Sequence, residues 1–153
     1  MNTKLFLFLG AFLTLMFSGC APKEDLAPKD VSEKAKLFNL PKENKAGVYI
    51  YRDSSFGAAL KKNLYIDGKF IAESSPYMFF YVEIEGDKEH KFSTSSEFSR
   101  NNLFLKTEKN KLYFIRQYMK IGLFTGASDL ELVEEDIAKK AILDSDMELG
   151  NTN

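Results

Sequence analysis

The residue types that catalyse reactions are few in this chain of 153 residues, and they are widely spaced. His90 is the only histidine and Cys20 the only cysteine. A serine or cysteine nucleophile needs an imidazole beside it and an acid that orients the imidazole. Serines follow His90 closely, but no G-x-S-x-G elbow occurs. We therefore predict that His90 is a surface residue of a strand and that the protein is not an enzyme.

Carboxylates offer a second route to catalysis, through paired general acids and bases. Glu83 and Glu85 alternate along one predicted strand and therefore share one of its faces. They keep a carboxylate-based hydrolase as an alternative, although we favour simple solvation of both side chains. One histidine with one cysteine is too small a ligand set for zinc, and no calcium loop or P-loop motif occurs. We predict no metal and no cofactor.

Tyrosines are the only polar aromatic residues that recur along the predicted strands. Five of them fall on alternate positions, opposite the aliphatic face: Tyr49, Tyr51, Tyr65, Tyr81 and Tyr113. If neighbouring strands bring them together, they form an aromatic surface for a sugar, a peptide or a partner protein. Alternatively, the rings pack beneath the C-terminal helix and the segment before the domain, or form cross-strand ladders. We favour the second interpretation, because both faces of a covered sheet are apolar.

A period of two in the apolar residues predicts a β-rich domain from Gly47 onward. The pair Asp67-Gly68 between two such runs is a strong hairpin signal. Seven or eight short strands separated by turn signals predict an all-β fold, an antiparallel β-sandwich or Greek-key barrel. Acids followed by lysines, with apolar residues at helical spacing, then predict a short C-terminal helix.

Charge is balanced along the chain. The 21 basic and 22 acidic residues give a net charge of −1 and are interspersed. A basic stripe, which binding to a phosphate backbone requires, is therefore missing from the sequence, and we predict no nucleic-acid partner. Two arginines belong to the strand patterns, Arg52 and Arg116, and we expect structural ion pairs between them and Asp53, Asp67 or Glu83.

The first nineteen residues have the composition of a signal peptide. Lys4 precedes an apolar run over residues 5–17, which is shorter than the ~20 residues that cross a bilayer. Two small residues then precede Cys20, and this order resembles the bacterial lipobox. The resemblance implies that Cys20 is acylated and begins the mature chain, with Phe17 departing from the usual leucine. The alternatives are an ordinary secreted protein and an uncleaved signal anchor.

The residue after the cysteine, Ala21, bears on the membrane. An aspartate at this position retains enteric-type lipoproteins at the inner membrane, so Ala21 resembles the outer-membrane default. The resemblance implies a protein that faces the periplasm from the outer membrane. Because each buried methylene adds ~0.8 kcal/mol of membrane affinity, acyl chains such as palmitate would hold it there permanently.

Composition divides the chain into segments. We predict a signal peptide over residues 1–19, a lipidated cysteine and flexible tether over 20–34, the β-sandwich domain over 35–145 and a disordered tail over 146–153. Proline and mixed charge indicate the tether. We expect three apolar residues at its end to pack on the domain: Leu37, Phe38 and Leu40.

Several of these stretches occur together in a known family. KAGVYIYRD, LYIDGKFIAE and KLYFIRQ follow one another behind the lipobox, and this order resembles the bacterial lipoprotein family called domain of unknown function 2846. The likeness covers roughly residues 45 to 143. Two turns match loosely, one from Glu85 to His90 and one at residues 109–111. The resemblance implies a β-sandwich lipoprotein of the cell envelope and brings no catalytic residues.

The sequence thus predicts a non-enzymatic binding or interaction module, anchored in the outer membrane and facing the periplasm. Its expected partners are the membrane, reached through the lipid, and an envelope protein or glycan. An accessory structural subunit of an envelope complex is the alternative, with the carboxylate hydrolase as the less favoured third hypothesis.

Overall fold

The computed structural model describes residues 25–124 and 126–153. The predictions about the signal peptide and Cys20 lie outside the described residues. Within them the chain forms two helices, α1 (Lys29–Ala35) and α2 (Glu135–Asp144), and nine strands. The strands are β1 (Lys45–Arg52), β2 (Lys62–Ile66), β3 (Lys69–Ser74), β4 (Met78–Glu85), β5 (Lys88–Ser95), β6 (Arg100–Thr107), β7 (Leu112–Lys120), β8 (Ala127–Val133) and β9 (Glu148–Leu149).

The strands form two sheets, and the predicted all-β sandwich with a C-terminal helix is confirmed. One sheet has the order β8-β7-β1-β4-β9 and the other β3-β2-β5-β6. The first is not purely antiparallel, because β1 pairs in parallel with β7 and β4 pairs in parallel with β9. Strands β2, β3, β5 and β6 build the second sheet before the chain returns beside β1, and such a crossover permits a parallel neighbour.

The main core lies between the two sheets. Val48 and Ile50 of β1 and Ile115 of β7 face Leu64 of β2 and Phe92 of β5, and all five are buried. These residues occupy the inward positions of the period-two pattern. The hydrophobic effect on this apolar area holds the sheets together.

A second core covers the outer face of the five-stranded sheet. Tyr49, Phe79 and Phe114 on the strands pack with Ile142 of α2 and Met147 beyond it. Strand β1 is consequently buried at every position from Ala46 to Arg52. Burial on both faces explains why β1 is apolar at consecutive positions rather than at alternate ones.

The folded unit is longer at both ends than the sequence predicted. Helix α1 lies in the predicted tether, and β9 lies in the predicted disordered tail. The two ends stabilise each other, because the N–H of Ala27 donates to Leu149 O (2.8 Å) and the N–H of Leu149 donates to Ser32 Oγ (3.1 Å). Because these hydrogen-bond partners are more than 110 residues apart in the sequence, no local sequence pattern predicts their pairing. No helix in the described ranges is long and apolar enough to cross a membrane.

The apolar residues after α1 divide between core and surface. Phe38 packs against Tyr49, with ring centroids 5.2 Å apart. Leu37 and Leu40 are exposed, so the expectation that all three pack on the domain is wrong for these two. Phe38 has a φ of 51°, and this reversal of the chain turns its ring towards the sheet while its neighbours point outward.

Candidate functional site: a groove beneath helix α1

The structure does not bring the five tyrosines together. Tyr49, Tyr51 and Tyr81 lie on the outer face of the five-stranded sheet. Tyr113 packs with the inner core, because the parallel register pairs it with Val48. Tyr65 lies on the other sheet, with the Arg100 guanidinium carbon 3.5 Å from its ring centroid. The prediction that all five share a face opposite the aliphatic residues is therefore wrong for Tyr113, whose face is set by strand register.

Two of the tyrosines are structural. Tyr49 stacks on Phe114 with centroids 5.1 Å apart, and its hydroxyl donates to Ala35 O at the end of α1 (2.8 Å). Burial, followed by the nearby Tyr81, raises the pKa of Tyr49 above its ordinary value. Burial raises the pKa of Tyr51 to about 12, with Asp53 adding to the effect. Both rings pack beneath the helices. This agrees with the interpretation favoured from the sequence, in which the tyrosine rings are covered rather than exposed.

Tyr81 lines a groove beside these buried rings. The groove has a volume of about 470 Å³ and lies between α1, the segment that follows it and strands β1, β4 and β9. Its lining combines apolar, amide and charged groups. The residues are Ala27, Val31, Lys34, Ala35, Asn39, Leu40, Tyr49, Tyr81, Glu83, Leu149, Gly150, Asn151 and Thr152.

The polar centre of the groove is a phenol next to a carboxylate. The Tyr81 hydroxyl donates to Glu83 Oε1 (3.2 Å), and the Lys42 N–H donates to the same oxygen (3.3 Å). Burial and the charge of Glu83 raise the pKa of Tyr81 to about 12. Glu83 is the one carboxylate among the lining residues, and no imidazole, thiol or second acid joins it there. This arrangement can stack on and hydrogen-bond a ligand.

The histidine is not the surface residue that the sequence predicted. His90 is buried, with Nδ1 2.7 Å from Asp67 Oδ2 and Nε2 3.0 Å from Glu85 O. Both ring nitrogens of His90 thus have an oxygen partner within hydrogen-bond distance. The sequence missed this burial because the hairpin turn at Asp67 folds back over β5, where Asp67 N donates to Lys91 O (2.8 Å).

The three candidate catalytic residues do line a second cavity, at the edge of the sandwich. It has a volume of about 440 Å³ and contains Glu83, Glu85 and His90. Each is already engaged: Glu85 Oε2 accepts from Lys88 Nζ (2.9 Å), which together with the charge of Lys88 holds the pKa of Glu85 below its usual range. In the part of the chain that the structure describes, no three His, Cys, Asp or Glu side chains converge as metal ligands.

The two arginines differ in their partners. Arg116 Nε donates to Asp53 Oδ1 (2.8 Å), which confirms the expected ion pair, and Nη1 donates to Glu131 Oε1 (3.2 Å). Arg52 is fully buried and donates to backbone carbonyls instead of a carboxylate, so the expected ion pair is wrong for this residue. Its acceptors are Phe56 O, Gly57 O and Leu60 O, at 3.1, 2.9 and 2.8 Å. Arg52 thereby fixes the loop between β1 and β2.

Fold and groove together define a class: a β-sandwich whose outer sheet is covered by short helices and carries a small groove at its edge. The chain belongs to the family described as Protein of unknown function (DUF2846), which matches residues 42–128. This match confirms the resemblance seen in the sequence. A protein of Haemophilus influenzae, described as uncharacterized, is 52% identical over 130 residues, covering 85% of this chain and 76% of that protein.

Proposed function

We propose that the protein is a non-enzymatic binding module of the cell envelope, anchored by lipid on Cys20 and facing the periplasm from the outer membrane. The observation that carries the binding role is the groove beneath α1. Its lining includes the Tyr81 ring, the Glu83 carboxylate and the side chains of Asn39 and Asn151, and its volume is about 470 Å³. An aromatic ring with hydrogen-bonding groups at its edge suits a sugar ring or an extended peptide.

The anchor is supported by the order of residues 1–20, and its distance from the domain follows from Asp25, the first residue that the structure describes. Asp25 is tied to the domain, since its main-chain oxygen accepts from Asn151 N (2.9 Å) and its Oδ1 accepts from Asn151 Nδ2 (2.7 Å). Five residue steps separate it from Cys20, which is at most about 18 Å of chain. An acyl chain on Cys20 would therefore keep the domain close to the membrane surface.

The groove is tested by site-specific photocrosslinking in the native cells. A photoreactive residue replaces Leu40, which is exposed and lines the groove, and in a matched variant it replaces Leu143, which is exposed on α2. We expect an adduct at position 40 that is absent at position 143. A protein partner gives a discrete adduct sensitive to protease, whereas a glycan partner gives one sensitive to muramidase.

Two results would count against the proposal. No adduct at position 40 removes the binding role of the groove. An adduct of equal strength at both positions favours the accessory subunit, since a subunit embedded in a complex is contacted on several faces. Size exclusion of a detergent extract then distinguishes it, because a stable subunit elutes far above its own mass of 17.4 kDa.

A further inference from the structure

One end of the sandwich carries an exposed apolar cluster that the groove does not use. Five side chains form it, each between 54% and 89% exposed: Phe56, Phe98, Ile121, Leu123 and Phe124. They lie on the loops that follow β1, β5 and β7. We call this cluster the apolar tip. Water-exposed apolar side chains grouped in this way mark an interaction surface rather than ordinary surface variation.

The loops of the apolar tip are tied to one another. Lys62 Nζ donates to Gly126 O (2.8 Å), which joins the start of β2 to the loop after β7. The Phe98 and Phe124 rings meet edge-on with centroids 6.4 Å apart. Glu97 accepts from the backbone N–H groups of both Leu123 (2.8 Å) and Phe124. Because these contacts engage backbone polar groups inside the tip, the apolar side chains are the groups presented outward.

The charges next to the tip are directed inward or paired. Arg52 donates to the carbonyls of its own loop, and Lys120 Nζ lies 2.6 Å from Asp129 Oδ2. The five exposed apolar side chains lie on loops at one end of the sandwich. Exposed phenylalanine and leucine side chains insert into the boundary between lipid headgroups and acyl chains.

We propose that the apolar tip docks on the phospholipid bilayer that anchors the chain. This inference rests on the proposed acylation of Cys20, because the at most about 18 Å of chain before Asp25 keeps the domain against the lipid. The acylated cysteine and the apolar tip are then two membrane-binding elements of one domain. Together they fix the orientation of the domain on the bilayer.

The proposed orientation leaves the groove accessible. Strand β4 begins at the tip end with Met78, opposite Arg52, and runs away from it. Tyr81 and Glu83 lie further along β4, three and five residues beyond Met78. A bilayer at the tip would therefore not cover the groove, and a periplasmic partner could reach it.

The chain contains no tryptophan, so a single substitution provides an unambiguous reporter. Phe124→Trp places it in the tip. Phe104→Trp is the matched control, because Phe104 is also exposed, at 61%, but lies within β6. The full chain of each variant, purified from bacterial membranes, is reconstituted into vesicles of phosphatidylethanolamine and phosphatidylglycerol, with or without brominated phosphatidylcholine. Flotation measures anchoring, and quenching by bromine measures lipid contact.

We expect both variants to float, with about a twofold loss of fluorescence at position 124 and little at position 104, since an inserted residue reaches ~5–10 Å into the boundary. Flotation without selective quenching at position 124 would overturn the tip contact and leave the anchor standing. A chain that does not float would overturn both. Leu123→Ser in the Phe124→Trp background should reduce the quenching, and unchanged quenching would also contradict the proposal.

Discussion

His90 and Asp67 form a hydrogen-bonded pair that joins two hairpins of the four-stranded sheet. The distance from His90 Nδ1 to Asp67 Oδ2 is 2.7 Å, and Asp67 Oδ1 accepts from the N–H of Lys91 at 2.9 Å. Both carboxylate oxygens of Asp67 are thus hydrogen-bonded to residues of β5. With His90 Nε2 on Glu85 O, the imidazole connects the turn after β2 to the end of β4. The only histidine of the chain is therefore a structural connection.

Asp67→Asn should weaken folding in a pH-dependent way. Burial opposes the charge, but the N–H of Lys91 and the ring of His90 hold the pKa of Asp67 below its ordinary value of 3.8. A lowered folded-state pKa stabilises the fold above the ordinary pKa, and this contribution is lost as pH falls through the folded-state pKa. We expect Asp67→Asn to lower the urea midpoint near pH 6 and the difference to shrink below about pH 4. Glu89→Gln is the control, and an equal effect there would contradict the assignment.

His90→Ala should destabilise the protein at neutral pH. The substitution removes the ring's hydrogen bonds to Asp67 Oδ2 and Glu85 O and opens a cavity at the edge of the sandwich. The expected loss in the free energy of unfolding is about 1–3 kcal/mol. Thermal unfolding of the full chain measures it. A loss below about 0.5 kcal/mol, the level of ordinary surface substitutions, would restore the surface histidine of the sequence prediction.

Tyr49→Phe should loosen helix α1 without disturbing the sheet. The ring keeps its stacking on Phe114, while Ala35 O at the end of the helix loses the Tyr49 hydroxyl and keeps only the N–H of Phe38 (3.1 Å). We expect a loss of about 1 kcal/mol in the free energy of unfolding. Hydrogen exchange should be faster in residues 29–38 than in β1. Tyr77→Phe, on an exposed tyrosine, is the matched control; unchanged exchange in α1 would show that the hydroxyl does not hold the helix.

Arg52→Ala should be among the most destabilising substitutions of a charged residue. Arg52 is fully buried and its guanidinium donates to three carbonyls, so its loss removes three part-buried hydrogen bonds and leaves a void. The expected loss is about 3 kcal/mol or more. Arg100→Ala, on an exposed arginine that contacts Tyr65, should cost less than about 1 kcal/mol. Equal losses in a thermal melt would contradict the role given to Arg52.

Two isoleucines of α2 lie on opposite faces of the helix, one in the core and one at the surface. Ile142 is 0% exposed and belongs to the outer core, whereas Ile137 is 62% exposed. Ile142→Ala should cost about 2–5 kcal/mol through lost burial and a cavity, and Ile137→Ala should stay within about 0.5 kcal/mol. Denaturant titration compares them. Similar midpoints would mean that the helix does not cover the sheet.

Local sequence patterns were sufficient to predict the elements whose formation depends on neighbouring residues. The alternation of apolar residues located the strands, since one face of each must be buried. At the hairpin between β2 and β3, Asp67 and Gly68 both have positive φ angles, of 51° and 84°, which the Asp-Gly pair tolerates and most residues do not. Acids ahead of apolar residues at helical spacing located α2. The order of the strand motifs behind the lipobox also indicated the family.

The features that depend on pairing between distant residues became visible only in the folded structure. The parallel register of β1 and β7 turned Tyr113 inward, although its strand alternates as the others do. The pairing of Ala27 with Leu149 converted a predicted tether and tail into ordered structure and, with α1, formed the groove around Tyr81. The fold of the Asp67 turn over β5 buried His90. In each case the decisive partner lies more than twenty residues away, where local propensity and periodicity carry no information.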